Sequence, residues 1–141
     1  MVRIIDIELH TAGSTRLTIC VGRYALKLPR GRRGRVANYG ERVEWTRASP
    51  ERRKILCPLL WTAPFGLLNI MRRAIPMTED ERERLDIFDF PKWDYMPGGP
   101  SPPFERKASD WGYLDGRLVA LDYPAIDVER CGWRGRRQIN P

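Results

Sequence analysis

The chain has a single histidine, His10. One imidazole excludes a histidine-rich metal site and argues against a Ser-His-Asp triad. Cysteine is scarce as well. Cys20, Cys57 and Cys131 form no Cys-x-x-Cys pair and no even set, so reduced thiols are expected rather than a disulfide framework. No apolar run approaches the roughly 20 residues needed to cross a bilayer. Met1-Val2-Arg3 leads into an alternating segment rather than an apolar one. No signal peptide and no membrane partner are therefore expected, and the expected compartment is the cytoplasm. No internal repeat is visible.

What is present fits one folded domain. The length of 141 residues supports a core, and 12 prolines with 12 glycines imply many loops. The net charge of +7 is unevenly placed: residues 1–77 carry +10, residues 78–129 carry −7 and residues 130–141 carry +4. The two halves can neutralise each other internally, or the basic half can present a surface to phosphate, nucleic acid or an acidic protein. The charge steps also mark three segments, 1–77, 78–129 and a basic tail, 130–141.

Alternation over residues 2–9, with Ile5, Ile7 and Leu9 against Asp6 and Glu8, reads as a half-buried strand. Leu17 to Val21 and Tyr24 to Leu28 follow as strands of an antiparallel meander. Next comes Pro29-Arg30-Gly31-Arg32-Arg33-Gly34-Arg35, read as a basic loop. Arg30, Arg32, Arg33 and Arg35 can grip phosphate or carboxylate oxygens bidentately, or simply stand in solvent. A helix is expected over 36–47, with a stripe of Val36, Tyr39, Gly40 and Val43. Ser49 before Pro50 reads as the cap of a short turn. Strands are expected at 55–62 and 67–71 around a turn at Pro64. Thr78-Glu79-Asp80-Glu81 is a capping-box signature for a helix running to about Phe88. Residues 89–104 read as loop. Asp115-Gly116 signals a two-residue hairpin turn between strands 111–114 and 117–122, with Asp110 and Asp122 at its outer ends. Two carboxylates brought together there can hold a divalent cation. The tail carries Arg134, Arg136 and Arg137 around Trp133, a mixture that suits single-stranded nucleic acid or plain solvation. The five tryptophans read as core or rim residues.

The order of these pieces resembles a protein kinase. Tyr24-Ala25-Leu26-Lys27 resembles the strand motif whose lysine holds nucleotide phosphates. Glu41 resembles the helix glutamate that orients that lysine, with Glu44 as a second candidate. Arg72-Arg73-Ala74 falls where the hinge would be. Glu105-Arg106-Lys107-Ala108-Ser109-Asp110 has the spacing of the catalytic loop, and Leu121-Asp122-Tyr123 resembles the start of the D-F-G strand. The stretch from Asp110 to Arg117 is similar to small kinase-like proteins of tailed phages.

The resemblance implies an α+β architecture. It implies a truncated protein-kinase-like fold, with an N-terminal antiparallel five-stranded sheet, one helix and a reduced C-terminal lobe. It implies phosphoryl transfer with ATP and Mg²⁺, a reaction of positioning and charge neutralisation. Lys27 would hold phosphates, Glu41 would fix its rotamer, and Gly13 would be the one glycine near the phosphates. Asp110 and Asp122 would hold metal, Glu105 would be the base and Lys107 would lie near the transferred group.

The sequence departs from that pattern at several points. Glu105 is one methylene longer than the usual aspartate, and a shift of about 1 Å can reduce rate on the order of 100-fold. Asp110 replaces the metal asparagine, and Pro124 stands where D-F-G has glycine. Against that pattern, most of the substrate lobe is expected to be missing. The favoured reading is a degenerate kinase-like protein that binds a host or partner protein, a phage-encoded modulator or inhibitor of a host system. A second reading is an active small ATP- and Mg²⁺-dependent kinase or nucleotide-binding protein. A third is a basic nucleic-acid-binding module. A homodimer completing the missing lobe is compatible with the first two.

Overall fold

The structure, a computed structural model, describes residues 7–10, 15–94, 98 and 101–124; for 7–10 it describes the backbone alone. Gly13, the first residues of the expected 2–9 strand and the basic tail with Arg134, Arg136 and Arg137 lie outside the described residues.

The chain is a mixed α+β protein with antiparallel sheets and few helices. β2 (Arg16–Val21), β3 (Tyr24–Pro29), β4 (Leu59–Thr62) and β5 (Asn69–Arg72) form a sheet in the order β2-β3-β5-β4, and β1 (Ile7–His10) pairs beside β2 through its backbone. A second sheet of three strands joins β6 (Ile75–Pro76), β7 (Trp111–Leu114) and β8 (Arg117–Ala120). Beside the first sheet, the expected 111–122 hairpin gains β6 as a third strand. The short β6 is a two-residue segment with no periodicity of its own to announce it.

Local chemistry accounts for the turns. Asp115 and Gly116 both take positive φ, 52° and 76°, as a type I′ turn demands, and the register pairs Leu114 with Arg117. Ser49 accepts the Arg52 amide and caps α2 (Pro50–Arg53). Thr78 and Glu81 make the reciprocal capping box of α3. That helix spans only Glu79–Arg84, short of the expected Phe88; Asp86 caps a separate 3₁₀ turn over Ile87–Asp89.

The long helix, α1 (Arg32–Arg47), starts four residues earlier than expected. Arg32, Arg33 and Arg35 therefore belong to its first turns rather than to a loop. The helix also turns a different side inward. Its buried residues are Gly34, Asn38, Gly40 and Glu41, so the inward line at 34, 38 and 41 has helical spacing but carries polar side chains. Of the expected Val36, Tyr39, Gly40 and Val43 stripe, Gly40 is buried and the three larger residues are only partly so.

The apolar core lies farther along the chain, among Leu56, Met71, Met77, Trp111, Val119, Ala120 and Tyr123. Leu56 and Ala120 form a parallel bridge, and Cys57 N donates to Ala120 O at 2.8 Å. This stitches the segment before β4 to the second sheet. The proline-rich stretch is not a detached loop, since Phe90 and Phe104 meet the fully buried Trp111 edge-on at 5.1 and 4.9 Å. Trp61 departs from the core-or-rim expectation at 54 % exposure.

α1 lies close against β2 and β3 because residue 34 has no side chain. A Cβ on Gly34 would fall 2.2 Å from Thr15 O and 2.7 Å from Pro29 Cα. Alanine is the better helix former by about 1 kcal/mol, so an exposed glycine here would be improved by the change. We expect Gly34→Ala instead to destabilise the protein by about 1–3 kcal/mol, the usual range for overpacking. Urea denaturation checks this, and an unchanged or raised midpoint would contradict the close approach.

Candidate functional site

The site begins with strand register. β2 and β3 pair Thr18 with Lys27 and Cys20 with Ala25. Paired residues share a face, so Arg16, Thr18, Ala25 and Lys27 lie on one side of the sheet. α1 brings Glu41 to that side, and the residues after β8 bring Leu121, Asp122 and Tyr123.

Glu41 has no solvent exposure and gathers these segments. Its Oε2 lies 2.7 Å from Lys27 Nζ and accepts the Tyr123 amide at 3.1 Å. Arg16 grips the same carboxylate through both guanidinium arms, Nη1 to Oε1 and Nη2 to Oε2, and also pairs with Asp122. Arg16 Nη1 donates to Asn38 Oδ1 at 3.1 Å, and Asn38 Nδ2 donates to Lys27 O and Gly66 O, both at 3.0 Å. Lys27 Nζ donates to Leu121 O at 2.5 Å. The cluster holds two cations and two carboxylates, so its charges cancel within it.

These contacts fix the protonation of Glu41. Burial pushes its pKa up, but Arg16 and Lys27 outweigh burial and hold it at about 2, against an ordinary 4.5. A lowered carboxylate pKa stabilises the fold fully above the unfolded value and loses that stabilisation as pH falls through the folded one. The interval is worth about 3 kcal/mol. We expect stability to fall by that order between pH 4.5 and 2, and Glu41→Gln to lack this limb while being destabilised near neutrality. Urea titrations across that window measure it; a flat wild-type midpoint would refute the account.

The loop residues form a second group. Asp110 closes the 3₁₀ turn over Ala108–Asp110, and its Oδ2 accepts the Glu105 amide at 3.1 Å. Glu105 and Lys107 are exposed and pair at 3.3 Å, and Lys107 Nζ lies 4.0 Å from Asp110 Oδ1. Burial and the charge of Asp122 raise Asp110 to about 6, despite the Glu105 amide and Lys107. A raised carboxyl pKa has the opposite sign from Glu41: its stabilisation is complete below the unfolded value of 3.8 and is lost as pH rises through about 6. Asp110→Asn keeps an acceptor for the Glu105 amide and removes the charge. It should raise the thermal midpoint above pH 6 and matter less at pH 4, as scanning calorimetry at the two pH values can show. A lower midpoint at pH 7 would mean that the ionised form is needed.

Beside the buried cluster lies a cleft of about 360 Å³. Arg16, Thr18, Lys27 and Asp122 supply its polar side, while Cys20, Ala25, Met71, Ala74, Met77 and Leu121 supply apolar walls. The chain passes from β5 to β6 along this cleft, through Arg72 and Ala74. The volume and the mixed lining suit a small organic ligand.

The structure thus brings Lys27, Glu41 and Asp122 together and places Glu105, Lys107 and Asp110 in the neighbouring loop. Glu41, rather than Glu44, is the partner of Lys27. Arg30, Arg32, Arg33 and Arg35 stand at the start of α1 and do not line the cleft. Sequence reasoning missed Arg16 and Asn38. The register of the β2–β3 hairpin was the available signal for Arg16, because it puts that residue on the same face as Lys27.

A metal at Asp110 and Asp122 was also expected. The hairpin ends do meet, since Leu121 N and Asp122 N donate to Asp110 O at 2.7 and 3.4 Å. Their carboxylates have other partners, however: Arg16 for Asp122, the Glu105 amide for Asp110. Among the described residues no group of three or more His, Cys, Asp or Glu side chains is arranged to hold a metal ion. With a guanidinium on Asp122, these residues do not fit a bound divalent ion. Among the described residues no helix is long and apolar enough to cross a membrane. Comparison of the chain with family models, curated proteins and solved structures finds no match in any of the three.

Proposed function

We propose that this is a reduced protein-kinase-like protein that acts by binding a partner protein rather than by transferring phosphate. One observation carries the reading. Glu105 and Lys107, which base and transfer roles would require, are exposed and neutralise each other at 3.3 Å, while the Lys27–Glu41 pair is fully built and buried. Phosphoryl transfer depends on groups held to the reacting atoms. An exposed, self-paired couple does not meet that need, whereas the buried pair is a sound framework.

A partner protein has a natural contact face. α1 has no acidic residue in its first turn but holds Arg32, Arg33 and Arg35 there. Cations are disfavoured at a helix N-terminus by about 0.3–1 kcal/mol each, so stability does not explain them. Arg35 Nε donates to Phe65 O at 3.0 Å, which joins this basic end to the β4–β5 turn. There Phe65 stands 71 % exposed with φ 62°, and β4, which ends its sheet, exposes Leu60 and Trp61. A basic end beside exposed apolar side chains and a strand edge suits an acidic protein surface. The phage resemblance supplies the setting, a modulator of a host system.

The cleft favours a second reading, in which a nucleotide binds without turnover. A labelled-phosphate transfer assay separates binding from catalysis. We expect wild type to match Lys27→Ala at background, and cross-linking to a host protein to fall at least about tenfold in an Arg32→Glu/Arg33→Glu variant, since reversing two contact charges repels an acidic surface. Transfer above background that Lys27→Ala abolishes would make the protein an enzyme and overturn the proposal.

A further inference from the structure

We infer that Arg16 is a resident cation standing in for a divalent ion at Asp122, so that the cleft works without bound metal. The Arg16 side chain is 8 % exposed and reaches both Glu41 oxygens and Asp122 Oδ1. A cation at that point neutralises Asp122, a carboxylate that lines the cleft, and ties it to the Lys27–Glu41 pair. A magnesium ion would have to approach a carboxylate oxygen to about 2.0–2.1 Å. The Asp122 oxygen bound by Nη2 is not available for that approach. The other Asp122 oxygen and Asp110 would remain as ligands, but Arg16 repels a second cation from Asp122, and Asp110 Oδ2 already accepts the Glu105 amide. An arginine stays charged at every physiological pH and never dissociates. Asp122 therefore holds its counter-charge whatever the supply of divalent ions. This inference concerns the cation at Asp122 alone and does not depend on a partner protein or on nucleotide binding.

The test uses the full chain and Mn²⁺ alone, followed by electron paramagnetic resonance of the free ion. Wild type is expected to leave Mn²⁺ free to about 1 mM. Arg16→Gln, which removes the charge and keeps a polar group, should bind Mn²⁺ at least about tenfold more tightly, a difference that the added Asp122→Asn change abolishes. Arg16→Lys, which keeps a cation, should behave as wild type. Wild-type binding below about 100 μM that Asp122→Asn removes overturns the proposal, as does a folded Arg16→Gln that gains no site. If Arg16→Gln does not fold, thermal midpoints of wild type and Asp122→Asn in about 5 mM Mg²⁺ and in chelator decide the matter. Equal wild-type midpoints support the resident cation, and a Mg²⁺-induced rise absent from Asp122→Asn refutes it.

Discussion

A fully buried carboxylate is the constraint on which the rest of this structure depends. Glu41 cannot leave water alone, because an unpaired charge in the interior costs several kcal/mol. It is tolerated only if cations and donors arrive from elsewhere in the chain. Lys27 comes from β3, Arg16 from β2 and the Tyr123 amide from beyond β8, 82 residues away. Each partner is tied down in turn: Lys27 Nζ by Leu121 O, Arg16 by Asn38, Tyr123 OH by Cys57 O at 2.7 Å. Satisfying one side chain therefore fixes the mutual positions of both sheets and α1. Replacing such a cluster with apolar residues can be neutral for stability, but removing one member alone is severe.

This arrangement explains why α1 breaks the usual pattern of an amphipathic helix. Its inward residues are Gly34, Asn38 and Glu41, and it gains little from apolar burial. Gly34 and Gly66 let backbone meet backbone, and Asn38 bridges two carbonyls across the gap. The apolar work is done elsewhere, around Trp111 and Tyr123. A polar seam and an apolar core thus lie side by side, and the cleft runs between them. An apolar core can shift among similar packings. A seam of directional hydrogen bonds has far fewer acceptable arrangements, which suits it to hold a binding surface in place.

How much of this was legible follows from the range of each interaction. Turns and caps were readable because their causes lie within four residues: Asp115-Gly116, Ser49-Pro50 and Thr78 to Glu81 each fold as their chemistry suggests. The Lys27 and Glu41 contact was legible only through a resemblance of spacing. Arg16 was not found, because an arginine at the start of a strand looks solvated until the hairpin register is applied. The helix start was misplaced because a run of arginines and glycines reads as a loop; tertiary contacts of Gly34 override that propensity. β6 was invisible, since two residues carry no period. The pairing of β6 with the hairpin is a contact at long range, which local pattern cannot supply.

The charges around Asp110 and Asp122 form a linked set. Asp110 adds a negative charge beside Asp122, and burial together with that charge raises its pKa to about 6. Arg16 and Lys107 bring positive charge to the same place, one buried and one exposed. Loss of any one partner would leave a buried charge exposed to its full desolvation penalty. Here every buried charge named in the cluster has an opposite charge in contact. The cluster is therefore closed around its own arginine, with each buried charge answered from within the chain.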